Sequence, residues 1–130
     1  MALTAVQRED IAAAEEQYAV LGLARDTLML IFPDTTCIDR VLGLLSHTMG
    51  KLDQTVAHFE DALAFCRRVG ARPELAWTCC DYADALRERD ADGDRAKAIT
   101  LLDESLAISS DLGMRPLMER VLSRREILKA

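Results

Sequence analysis

Apolar residues recur at intervals of three and four along most of the chain, the spacing that gathers side chains on one face of an α-helix. Ile11, Ala14, Tyr18 and Leu21 define a first amphipathic helix over residues 4–21, with Gly22 as its stop. Ile38, Leu42, Leu45 and Met49 make the stripe of a helix over 36–49, widened by Val41 and Leu44 and ended by Gly50. Val56, Phe59, Leu63 and Cys66 predict a helix over 53–69, capped by Asp53 and stopped by Gly70, with Gln54, His58, Asp61 and Arg68 on its wet side. Pro73 opens a further helix lined by Leu75, Cys79, Tyr82, Ala83 and Leu86. Asp90-Ala91-Asp92-Gly93-Asp94 reads as a turn whose last residue caps a helix over 95–112, which buries Ile99, Leu102, Leu106 and Ser109 before Gly113. Pro116 opens a last helix with Leu117, Val121 and Leu128 on one side. Residues 22–36 are the least regular. Leu28 to Phe32 is too short an apolar run to separate a helical turn from an extended piece, and Pro33-Asp34 breaks it, so the segment reads as a structured connection. No strand is predicted anywhere. The expectation is an all-α domain of about six helices joined by short turns.

The helices repeat. Leu42-Gly43, Gly50, Phe59 and Ala62 resemble the tetratricopeptide pattern, which asks for Leu-Gly in a first helix, a glycine at the turn, and small and aromatic residues in a second helix. Thr55 stands where that pattern has alanine and would loosen the packing. In a second copy Ala98, Ile99, Leu102 and Leu106 correspond to Thr55, Val56, Phe59 and Leu63, 43 residues on, whereas Tyr82-Ala83 corresponds to Leu42-Gly43, 40 residues on. Three extra residues in the Asp-rich turn account for the difference. One hairpin cannot bury its own stripe, so such hairpins share a core with their neighbours and need a covering helix at the open end. The expected division is a single helical-repeat domain over 1–130, with an incomplete repeat helix at 4–21, repeats at 36–69 and 72–112, and a capping helix at 116–129. The architecture that follows is a tetratricopeptide-like right-handed superhelix of antiparallel helix pairs.

A narrower resemblance rests on Leu42-Gly43-Leu44-Leu45, Gly50-Lys51-Leu52-Asp53 with Ala57 to Leu63, Gly70-Ala71-Arg72-Pro73, Gly93-Asp94-Arg95, Leu101-Leu102 and Leu112-Gly113-Met114. Over residues 36–118 these phrases are similar to the C-terminal helical repeats of large bacterial ATP-binding regulators of the LuxR-type and nucleotide-cyclase-like kinds. The first helix, with Tyr18, resembles the second helix of a preceding repeat. The resemblance implies a regulatory protein-interaction module, as a fragment or a small stand-alone relative, without the ATPase, cyclase or DNA-binding parts.

Charge and candidate chemistry narrow the function. A formal net charge of −6, with Arg67-Arg68 and Arg124-Arg125 as isolated basic pairs, disfavours nucleic acid and anionic membranes. Cys37, Cys66, Cys79 and Cys80 form no CxxC and read as reduced apolar core residues. Without a signal-like start or a long apolar run, the expected compartment is the cytoplasm. Gly43 to Lys51 fails as a P-loop because its glycines are too far apart and Leu52 replaces the Ser or Thr. Asp90 to Asp94 fails as a Ca²⁺ loop because its glycine comes early and no Glu falls at the twelfth position. Ser46-His47 diverge on a helix and Cys66 lies on a buried stripe, so no nucleophile sits beside a base and no enzyme is expected. His47 and His58 are the only histidines. They sit on adjacent helices and no HExxH exists, so a metal site joining them with Asp61 or a cysteine is disfavoured, and neither metal nor cofactor is predicted.

First helices of such pairs usually line a concave groove. One would present Cys37, Arg40, Val41, Leu44, His47 and Thr48, and the next Trp77, Cys80, Asp81, Asp84, Arg87 and Glu88. Arg40, Leu44, His47, Trp77, Asp81, Asp84 and Arg87 are the candidate partner contacts. The expected partner is a protein or peptide. Homodimerisation through the Leu28–Phe32 segment or an open helix face is a further expectation. An alternative function is a small-molecule sensor with a pocket around Trp77 and His47.

Overall fold

A computed structural model of the chain describes residues 10–21, 28–31 and 34–129. Six α-helices are described: α1 (Ile11–Leu21), α2 (Ile38–Thr48), α3 (Leu52–Val69), α4 (Arg72–Arg89), α5 (Asp94–Leu112) and α6 (Arg115–Lys129). Between α1 and α2 lie two short strands, β1 (Leu28–Ile31) and β2 (Asp34–Cys37). Among the described residues no helix is long and apolar enough to cross a membrane. Thr4 to Glu9, Gly22, Phe32 and Pro33 lie outside the described residues.

The strands correct the expectation that the chain holds none. They pair antiparallel, with Leu28 opposite Cys37 and Ile31 opposite Asp34. Four consecutive apolar residues have no alternation to betray a strand, and Asp34-Thr35-Thr36 imitates a helix cap, so the sequence pattern runs the helix two residues too early. The helix begins at Ile38 with extended Cys37 before it. Similarly, α3 starts at Leu52, which places Asp53 inside the first turn and not at the cap; an acid there still faces the positive end of the helix.

The chain forms two compact units, Met1–Phe65 and Cys66–Ala130. In the first, α1 lies on α2. Ala14, Val41 and Leu45 form a buried cluster with Ala13, Tyr18 and Met49 packed against it. Ile11, expected in the same stripe, is exposed. The α2–α3 hairpin turns at Gly50, whose φ of +77° is the left-handed conformation that glycine adopts without strain. Within the pair Gly43 faces the Phe59 ring, where a Cβ would lie 2.7 Å from it. A turn nearer the loop, the Thr55 hydroxyl lies 3.2 Å from the Ser46 hydroxyl and 3.0 Å from the Lys51 carbonyl, while Ser46 donates to the Leu42 carbonyl at 2.8 Å. Thr55, which stands where the repeat pattern has alanine, is fully buried with its hydroxyl satisfied.

In the second unit α4 is the central helix, with buried residues on nearly every side: Leu75, Ala76, Thr78, Cys79, Cys80, Asp81, Tyr82, Ala83, Ala85 and Leu86. Asp90 ends it in the left-handed region at φ 51°. The buried set of α5 is Ala98, Leu101, Leu102, Ser105, Ile108 and Ser109, with Asp94 at its start. Ile99 and Leu106, expected in the core, are only half-buried. Small polar residues explain the rotated face, because Ser105 turns inward to donate to the Ala76 carbonyl of α4 at 2.7 Å. The last helix buries Leu117, Val121 and Leu128 as its pattern predicts. Arg95 donates to the Leu128 carbonyl, tying α5 to the end of α6.

Candidate functional site

The predicted contact residues fall on two helix faces, one in each unit. On α2, Arg40, Leu44 and His47 follow at intervals of four and three and are all half-buried. The other flank of the helix is committed to the core: Val41 sits against Ala14, and Cys37 is fully buried. Those two residues, expected on an open face, are removed from it by α1 and by the start of the helix.

On α4 the face is built jointly with α6. Trp77 is half-buried, and the Arg120 guanidinium stands 5.4 Å from its ring centroid, in cation–π range. Two turns further on, Asp84 accepts a hydrogen bond from Arg124 Nε at 2.8 Å. Arg120 and Arg124 are four residues apart, so one side of α6 presents both. Arg87 is exposed. Asp81 and Cys80 depart from the expectation of an open face, being 7% and 0% exposed. They are enclosed because α4 is packed from several sides. Neither Arg120 nor Arg124 is among the sequence-predicted residues. Their signal was present, since both fall off the Leu117–Val121–Leu128 stripe, but a helix read only as a cover directs attention to its apolar side.

Two surface depressions occur near α6. One is lined by Leu122, Arg125, Glu126 and Lys129, and the other, of about 220 Å³, by Arg87, Asp90, Arg95, Ile127 and Leu128. Trp77 and His47, the centre of the small-molecule alternative, line neither. The first, of about 410 Å³, falls within the roughly 300–1,000 Å³ of drug-sized ligand sites and the second falls below it.

The four cysteines are free thiols and buried. Burial pushes the Cys79 thiol far above its ordinary range, with the nearby Glu104 carboxylate adding to the effect. Burial, then Asp81 and Asp84, push Cys80 up to about 12. Thiols of this kind are poor nucleophiles and poor metal ligands near neutral pH.

The first unit also gathers titratable side chains beneath α1. His58, expected on the wet side of α3, is 8% exposed. Its Nε2 lies 2.7 Å from the Tyr18 hydroxyl, and the two rings meet edge to face at 5.3 Å. Asp39, Asp61 and His58 each offer one ligand atom within 4.8 Å of the others. His47 is not part of this group. Tyr18 of α1 packs on His58, and a helical wheel of α3 alone carries no trace of that.

Paired antiparallel helices, a glycine facing an aromatic ring inside the hairpin, and polar first-helix faces define a helix-hairpin repeat protein. The chain belongs to the tetratricopeptide repeat family, whose model matches residues 34–111. No curated protein and no solved structure gives a significant match to the chain. Proteins of this class use the extended surfaces of their repeats to bind other proteins.

Proposed function

We propose that the chain is a protein-interaction module that takes a peptide segment of its partner on the Trp77 face of α4, edged by α6. The observation that carries this reading is the half-buried indole with Arg120 over it and the Asp84–Arg124 pair beside it. Tryptophan and arginine are the residues most often found as energetic hot spots of protein interfaces. Here both are held in place before any partner arrives, so little side-chain freedom remains to be lost on binding. Arg87 gives the face an exposed cation. The Arg40, Leu44 and His47 face of α2 is a second contact surface in the first unit. The regulator-like phrases between Leu42 and Met114 support a place within bacterial signalling or transcriptional control, where such a module would receive a protein signal.

Selection of a displayed peptide library on the chain tests the proposal. Selected peptides are expected to lose at least tenfold in affinity for Trp77→Ala and severalfold for Arg120→Ala, while an Arg68→Ala control on the exposed side of α3 binds as the parent does. Peptides that bind the parent and Trp77→Ala equally would place the site elsewhere.

A further inference from the structure

We propose that Asp39, His58 and Asp61 form a binding site for a divalent transition-metal ion, with Zn²⁺ the best fit. The hairpin register brings them together. Ser46 meets Thr55 and Gly43 meets Phe59, so one turn nearer the start of α2 its partner segment on α3 is around Asp61. Asp39 lies on that turn of α2, and His58 and Asp61, three residues apart on α3, project from one face. Their ligand atoms converge within 4.8 Å of one another. Ligands held tetrahedrally at roughly 2.0–2.2 Å from Zn²⁺ stand about 3.4 Å apart, so the site closes when the ligand atoms draw together by about 1.4 Å at most.

The chemistry of the set selects the ion. One imidazole with two carboxylates suits zinc and its neighbours in the first transition row, whereas Mg²⁺ and Ca²⁺ prefer oxygen alone. Three protein ligands leave a fourth position for water or a partner's side chain. Electrostatics points the same way. Asp39 is fully buried and Asp61 half-buried, so both would present their oxygens to a divalent cation away from bulk water. Tyr18 supplies the outer shell. With its Nε2 2.7 Å from the Tyr18 oxygen, His58 turns Nδ1 to the metal and donates its Nε2 proton to that oxygen, which fixes tautomer and ring orientation. The ion thereby joins α2 to α3, and through Tyr18 it anchors α1 on the hairpin. Among the cysteines, Cys79 and Cys80 lie in the other unit and are held protonated by burial.

Titration of the full chain with Zn²⁺, followed by calorimetry, and with Co²⁺, followed by visible absorption, tests the site. The expected result is one ion per chain, a Co²⁺ spectrum without thiolate charge-transfer bands, and a raised melting temperature. His58→Gln and Asp61→Asn are expected to weaken binding at least tenfold and Tyr18→Phe severalfold, with His47→Ala unchanged. Because His58 is buried, each variant is first melted without metal. Asp61→Asn, at a half-buried carboxylate, decides the matter if His58→Gln does not fold. Absence of saturable binding at millimolar metal, thiolate bands in the Co²⁺ spectrum, or equal binding by Asp61→Asn would overturn the proposal.

Discussion

Gly43 shows how one missing side chain sets the distance between two helices. A methyl group there would meet the buried Phe59 ring at 2.7–2.8 Å, closer than carbon atoms tolerate. Alanine is the better helix former by about 1 kcal/mol, but overpacking a filled core costs about 1–3 kcal/mol. With the ring held in a filled core the clash outweighs the propensity, and Gly43→Ala is expected to destabilise the chain by up to about 2 kcal/mol in urea denaturation. The second repeat has Ala83 and Leu102 at the corresponding positions, both buried, so the larger first residue accompanies a smaller second one. In a Phe59→Leu background, Gly43→Ala is accordingly expected to be neutral or mildly stabilising. An equal loss in both backgrounds would disconnect the glycine from the ring. This pair was legible in the sequence because it is carried by residue type. His58 was not, because Tyr18, which packs on it, lies 40 residues away in sequence. The cysteines were legible as core residues. A disulfide-exchange reagent at mildly alkaline pH is expected to leave all four unmodified in the folded chain and to modify them in urea, and rapid native-state labelling would contradict their burial.

At the level of elements, caps and turns account for most of the differences between pattern and structure. The Asp-rich turn before α5 was correctly placed, but Gly93 holds the cap position and Asp94, expected there, is the first residue of the helix. Its carboxylate takes two hydrogen bonds from Arg89, each 2.7 Å long, and one from the Ala91 amide at 3.1 Å. The bonds from Arg89 hold its carboxyl below the ordinary carboxylate range, with the Ala91 amide acting in the same sense. A carboxyl depressed by folding stabilises the folded state fully above its unfolded value, near pH 4, and loses that contribution as pH falls through the lower folded value. Asp94→Asn is thus expected to be less stable than the parent at pH 7, with the two stability curves converging as pH falls from about 5 to 2. Parallel curves over that range would mean that the pair contributes nothing. The β1–β2 hairpin escaped the sequence pattern for a different reason: a strand four residues long is shorter than the window in which alternation can be told from a helical stripe. Long helices with Gly or Pro at their ends, α3 to α6, were recovered to within a few residues because their periodicity is sampled over four turns or more.

For the molecule as a whole, the repeat was the strongest signal, since two degenerate copies of one hairpin constrain fold class more than any single helix does. The proposed contact faces were less legible. Periodicity tells which side of a helix is apolar, but it does not say which neighbouring helix closes over the polar side; Asp81 was lost to burial and Arg120 and Arg124 were gained from α6 for that reason. A net charge of −6 adds a long-range component. Association with a basic peptide is expected to slow as salt rises from about 0.05 to 0.5 M, with most of the change in the on-rate. Dissociation that carries the salt dependence would instead indicate a buried ion pair at the interface. Trp77 is the only tryptophan, so its indole N–H gives a single assigned reporter of the proposed contact face in a nitrogen-15 NMR titration. With a selected peptide, the largest shifts are expected at the Trp77 indole and along the Arg120–Arg124 side of α6. An unmoved indole, with shifts gathered on the outer side of α5, would contradict the proposed face.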